Sequence, residues 1–235
     1  MSAAPARADL ERIDRIIGRM RAIGEELDPG DGVLAFNRMY LAVTESVRAR
    51  LAGGAFRDGR FLGRLTTLFA ELYVDAYARA GAAPPAPPQA WAPLFEARRR
   101  RRIAAVQFAL AGMNAHINYD LGLAVFDTCR QLGLTPEPGS PQHGDYLLMN
   151  TVLAEVSEEV KADLLDDLTG VADVALGRID DVASSWSIAR ARDAAWAHAE
   201  TLYVLDRVPP VRDRYLLALG RSVGLTGRML LVPVL

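Results

Sequence analysis

The sequence predicts an all-α fold, and three observations carry that prediction. Apolar residues recur every three or four positions in nearly every segment, the period of a helix packed by one face. No segment shows the two-residue alternation of a half-buried strand. The segment 101–133, which contains QFALAGMNAHINYDLGLAVFDTC, is apolar around almost its whole circumference, the pattern of a helix buried on every side. The expected architecture is a single-domain bundle over residues 1–235, with roughly seven helices around this central buried helix.

A first helix is expected over 8–27, where Leu10, Ile13, Ile16, Ile17 and Met20 share a face, and the turn from Asp28 to Gly32 stops it. The second, 33–53, stacks Phe36, Tyr40, Val43 and Val47 and closes at Gly53 and Gly54. The third, 58–80, lines up Phe61, Leu65, Leu68, Leu72 and Ala76. Five prolines between positions 84 and 93 exclude regular helix from the stretch 82–93. It reads as a stiff crossover pinned by Trp91 and Phe95, because the residues before it would make a thin core alone. The central helix over 101–133 ends at Gly133, and TPEPGSP forms a loop. Ser140 then reads as an N-cap with Pro141 at the first helical position of a helix over 141–169. Another helix, 176–206, is broken by Val208 and the two prolines after it. A last helix covers 210–222, and the apolar tail GLTGRMLLVPVL is expected to pack back onto the body.

Composition narrows the function classes. Hydrophobic residues make up 51% of the chain, enough for a sizeable core, and the formal net charge of -2 leaves no general basic face for nucleic acid. The one basic run, Arg98 to Arg102, reads as the solvated start of the central helix, with an anion patch as the alternative. No uncharged apolar run is long enough to span a bilayer, so no stable membrane insertion is expected. The first residues carry charges where a secretion leader needs an apolar stretch. The single cysteine, Cys129, lies in the apolar helix as a small core residue and suits a reducing compartment. A cytoplasmic location follows. Heavy use of Ala, Arg and Gly, with Lys161 the only lysine, fits a GC-rich bacterial genome.

Polar groups inside the apolar helix are the candidates for chemistry, because buried polar groups cost free energy unless paired. His116 and Asp120 are four apart and share a face, as do Asn114 and Asn118 on another. A carboxylate beside an imidazole orients it and raises its basicity. The bland alternative is a histidine satisfied by its own helix. His143 and Asp145 open the helix after Pro141, and Asp145 heads the stripe Met149, Val152, Val156, Glu159. His116, Asp120, His143 and Asp145 together offer two imidazoles and two carboxylates, a set that suits zinc or another divalent metal if the helices bring the pairs together. Glu71 and Asp75 could complete a metal site with the first pair. Trp186, Arg190 and Asp193 fall on one face, as a buried ion pair or an anchor for a substrate's acidic group, while His198 points elsewhere. The run DLLDD at 163–167 lies in a charged helix end.

The segments AFNRMYLAVTESV, PLFEARRRRRIAAVQFALAGMNAHINYDL, HGDYLLMN and WSIARARDAAWAHAE are similar to those of an uncharacterised bacterial family, a domain of unknown function common in actinobacteria. The likeness spans about residues 30–233, and the NAHINxDL block is its most distinctive part. The resemblance implies an all-helical bacterial protein and carries no activity or cofactor with it. The matching positions are Asn114, His116, Asn118, Asp120, His143, Asp145, Trp186, Arg190 and Asp193.

The expectation is an enzyme acting on a small, largely apolar molecule, in specialised metabolism, by isomerisation, cyclisation, elimination or hydrolysis. His116 would be the acid or base with Asp120 orienting it, and His143 with Asp145 a second pair. Asn114, Asn118, Trp186, Arg190 and Asp193 would bind substrate. The alternative is a non-catalytic helical protein that binds an apolar ligand or a partner.

Overall fold

A computed structural model describes residues 4–82, 84–166 and 187–233, with side chains described outside 154–166. These residues are all-helical, and among them there is no β-strand. The helices are α1 (Arg7–Glu26), α2 (Gly32–Ala52), α3 (Gly59–Ala80), α4 (Ala92–Ala97), α5 (Ala105–Ala115), α6 (Leu121–Leu132), α7 (Pro141–Asp166), α8 (Ile188–Leu205) and α9 (Pro209–Leu230). Between α5 and α6 runs one π-helical turn, His116–Asp120.

Local chemistry sets most of the boundaries. Asp31 caps α2 by accepting the Val33 N–H at 3.0 Å, and Asp58 caps α3 by accepting the Phe61 N–H at 2.9 Å. Ser140 caps α7 through the His143 N–H at 3.1 Å, with Pro141 at the first helical position. Gly133 ends α6 in the left-handed conformation, φ 67° and ψ 31°, which a side chain disfavours.

Three expectations need correction. The central helix starts at Ala105, not 101. Arg98 is drawn into the fold by Asp31, with Nε donating to Oδ2 at 2.7 Å, and the Arg98 carbonyl accepts the Gly32 N–H at 2.8 Å. That anchoring holds the basic run in a turn whose members Arg99 to Arg102 are exposed. The proline-rich crossover does not stay irregular throughout. It closes into the short helix α4, with Trp91 fully buried at its start and Pro93 in its first turn. The last helix continues past 222 to Leu230, so the tail packs as helix. Its glycines make this possible: a Cβ on Gly224 would lie 2.5 Å from the Gln89 carbonyl oxygen. The expected helix 176–206 is described only from Ile188, and its earlier part lies outside the described residues.

The rod formed by α5, the π turn and α6 is the axis of the molecule. Its first half packs mainly on α2 and α9, its second half on α3 and α8. One extra residue in a turn rotates everything after it by ~100°. The π turn sits where the rod changes partners. Two buried apolar clusters flank it. One is built on Ile13, Phe61, Val125 and Trp196, the other on Phe36, Tyr73, Trp91 and Phe108. Cys129 is buried in the first, and burial pushes its thiol up to about 11.

Candidate functional site

The π turn carries the sequence HINYD, and its ends are His116 and Asp120. Its defining bond runs from the Leu121 N–H to the His116 carbonyl, five residues back. Single π turns inside α-helices recur at functional sites. Both side chains point into the core, with exposures of 2% and 1%. His116 Nδ1 lies 3.0 Å from Asp120 Oδ2, and the Trp91 indole donates to the same oxygen at 2.9 Å. The crossover thus supplies a second donor to the carboxylate.

The imidazole lies in an aromatic box. Phe69 stacks on it with ring centroids 3.6 Å apart and planes within 6°, and Tyr40 meets it edge-on at 4.3 Å. Phe36 and Trp91 are each 5.8 Å away, and Tyr73 is 6.4 Å away. Phe69, which stacks on one face of the imidazole, is itself partly exposed. Inside this box His116 Nε2 is buried and has no hydrogen-bond partner among the described residues.

Burial decides the electrostatics. Desolvation lowers the His116 value from its ordinary 6.5, and the Asp120 bond opposes that only in part. Desolvation raises the Asp120 carboxyl, while His116 and Trp91 pull it down. Asp120 accepts two N–H groups on one oxygen, which favours the carboxylate. With the carboxylate as acceptor, a neutral imidazole carries its proton on Nδ1 and keeps the Nε2 lone pair free.

The remaining candidates fall elsewhere. Asn114 donates to the Val223 carbonyl at 2.9 Å and accepts from Asn118 at 3.1 Å, so this pair ties the rod to α9 instead of facing His116. Asp145 accepts the Arg57 and Asp58 backbone N–H groups, which makes it the anchor of the turn before α3. The neighbouring His143 accepts the Gly139 N–H on Nδ1 at 3.0 Å and lies 4.6 Å from the Trp196 ring. The four-residue metal set does not assemble. Among the described residues no three His, Cys, Asp or Glu side chains are placed to hold a metal ion. The physical reason is that Asp145 is spent on backbone amides while Asp120 is spent on His116 and Trp91. Glu71 and Asp75 do not complete a site with the first pair either; Asp75 is exposed. Trp186 lies outside the described residues, as do the side chains of 163–167.

Arg190 and Asp193, read as a buried ion pair or an anchor for an acidic group, do not lie on the buried face of α8. Both of those side chains are exposed, and Arg192 is the buried one, 5% exposed. A helical wheel built on Trp186 as the buried reference selects 190 and 193. The inward face of α8 is set by Ala195, Trp196 and Ala199 instead, which carries Arg192 inward. His198 pairs with the Tyr215 hydroxyl on α9.

Sequence reading also missed Phe69 and Tyr73. They are four apart on α3, as Phe36 and Tyr40 are on α2, and that matching aromatic spacing was the available signal. The stripe expected for α3 runs through Leu68 and Leu72, one position away from the residues that face His116.

The geometry can be set beside known proteins. A model for a family of unknown function, DUF5995, matches residues 13–233. The chain belongs to that family. The match takes in the π turn, the aromatic box and the whole of α2 to α9 in this DUF5995 member. No curated protein and no solved structure matches significantly. No helix among the described residues is long and apolar enough to cross a membrane.

Proposed function

We propose that this protein is an enzyme in which His116 moves a proton on a small, largely apolar molecule. The observation that carries the proposal is the unpartnered Nε2 of a fully buried imidazole whose Nδ1 is held by a carboxylate. Native proteins seldom leave a buried polar atom without a partner, and an exception invites a functional account. A neutral imidazole with Nδ1–H fixed presents Nε2 as a general base, and the carboxylate stabilises the imidazolium that forms. The imidazolium then returns its proton to product or solvent. The walls of Phe36, Tyr40, Phe69, Tyr73 and Trp91 suit an apolar substrate. Isomerisation, cyclisation, elimination and hydrolysis all contain such a proton transfer. The single cysteine supports a reducing, cytoplasmic setting, and the Ala-, Arg- and Gly-rich composition supports a bacterial source.

A second reading rests on one observation, the Trp91 bond to Asp120. In that reading the pair is a polar anchor that docks the crossover, and the protein binds an apolar ligand without chemistry. Nitrogen-15 NMR of the imidazole distinguishes the two. The enzyme reading expects a proton on Nδ1 and none on Nε2 at neutral pH, with His116→Gln folded but unable to process substrate. An Nε2–H tautomer, or a permanently charged ring, would remove the base and leave the anchor.

A further inference from the structure

Away from the His116 pair, α8 buries a cation that no carboxylate among the described residues pairs with directly. Arg192 is 5% exposed. Its Nε donates to Asn150 Oδ1 and its Nη2 to the Tyr146 carbonyl, both at 2.7 Å. Its Cζ lies 4.2 Å over the Tyr146 ring. Among the described residues it forms no ion pair. Of the acidic side chains closest in sequence, Asp145 is held by the Arg57 and Asp58 amides, and the exposed Asp193 acts on Arg192 only as a nearby charge, outweighed by desolvation, without a direct ion pair. A buried charge without a counter-charge is costly, because hydrogen bonds to neutral groups recover only part of the lost hydration.

Two further donors stand around the same tyrosine. The indole N–H of Trp196, one turn after Arg192 and on the same face, is buried without an acceptor among the described residues, and its ring is 4.9 Å from that of Tyr146. His143, one turn before Tyr146, accepts the Gly139 N–H on Nδ1, so its neutral ring carries the proton on Nε2. It lies 4.6 Å from Trp196 and is partly exposed, as is Asn150, so the cluster reaches the surface.

We propose that Arg192, the Trp196 indole N–H and the His143 Nε2–H bind the carboxylate of a small organic acid between α7 and α8. One guanidinium balances one negative charge, which favours a carboxylate over a doubly charged phosphate. The rings of Tyr146, Trp196 and Phe61, the last 6.4 Å from Trp196, favour an apolar body behind the carboxylate. This site stands apart from the His116 pair and does not depend on its chemistry.

The test is proton–nitrogen NMR of the intact protein titrated with benzoate, benzyl alcohol and inorganic phosphate at constant ionic strength. Trp196→Phe assigns the indole signal and removes one donor while keeping a buried ring. Benzoate is expected to shift the Trp196 indole and Arg192 Nε signals along one saturating curve. Benzyl alcohol should leave both unmoved, and Trp196→Phe should bind benzoate about ten-fold more weakly, the loss of one charge-assisted hydrogen bond. Four results would each overturn the assignment: no saturation with benzoate, phosphate binding as tightly as benzoate, equal shifts with benzyl alcohol, or undiminished affinity in Trp196→Phe.

Discussion

His116 owes its properties to the rings around it as much as to Asp120, and Phe69 is the ring that can be removed with least damage, being partly exposed. Phe69→Ala should let water reach the imidazole and bring its protonation midpoint back toward the ordinary 6.5, read by NMR titration of the ring. An unchanged midpoint would mean that other groups, not Phe69, keep His116 dry. Burial also makes a pH signature. His116 is lowered below 6.5, so the unfolded chain takes up a proton that the folded chain refuses. The stability contributed by the neutral ring is present above 6.5 and falls away as pH drops toward the folded value. Asp120 runs the other way: its carboxyl is raised above 3.8, so what it withholds at neutral pH returns as pH falls through its folded value. Urea unfolding from about pH 7 to about pH 5.5 should therefore show His116→Gln losing less stability than the wild type, by at most about 1.4 kcal/mol per pH unit. Parallel profiles would sink this account. The spacing of His116 and Asp120 was legible because four residues along a helix always meet. The free Nε2 was not, because it depends on where α2, α3 and the crossover place Tyr40, Phe69 and Trp91.

Elements show the same division between local and tertiary causes. Helices α2, α3 and α7 begin within a residue or so of where their caps and turns indicate, because Asp31, Asp58 and Ser140 act through neighbouring amides. The π turn left no such mark, since HINYD has no local feature that asks for five-residue spacing. Its placement follows from two demands on the rod. On α5 the first demand is close approach to α2: a Cβ on Gly112 would lie 2.4 Å from the Phe36 ring. Gly112→Ala is expected to destabilise by about 1–3 kcal/mol, because Phe36 has no free space to retreat into among Tyr40, Tyr73 and Trp91. Chemical denaturation checks it, and a neutral effect would show that α5 can shift along α2. The second demand is that α6 turn its apolar face to α3 and α8, which the rotation at the π turn supplies. At the start of α7, Asp145→Ala strips the acceptor from two backbone N–H groups, those of Arg57 and Asp58. A cost of about 1–3 kcal/mol is expected from denaturant midpoints. Asp145→Asn, which keeps one acceptor oxygen, should recover part of it. A catalytic or metal role for Asp145 predicts the opposite pattern, little change in stability.

Across the whole molecule, the His116 pair is held from a distance by the packing of α9 on the crossover. Gln107 donates to the Leu230 and Val232 carbonyls, and Asn114 donates to that of Val223, so the rod grips α9 along its C-terminal half. On another side α9 presses on the crossover, where Gly224 leaves room for the Gln89 carbonyl. Two residues later Trp91 reaches Asp120. A contact at the surface helix is therefore connected, through a short stiff segment, to the carboxylate at the centre. Gly224→Ala places a methyl 2.5 Å from the Gln89 oxygen, so either α9 or the crossover must give way. The direct cost should be about 1–3 kcal/mol. If the crossover yields, the Trp91 bond is already weakened, and adding Trp91→Phe should cost less than it does alone. A double-mutant cycle by urea unfolding measures that difference, expected at about 0.5 kcal/mol or more because the two changes share one segment. Strict additivity would mean that α9 moves instead and that the pair at the centre is indifferent to it. The readout at the site is the His116 ring: in Gly224→Ala its protonation midpoint should move in the same direction as in Trp91→Phe, since each loosens the donor set around Asp120.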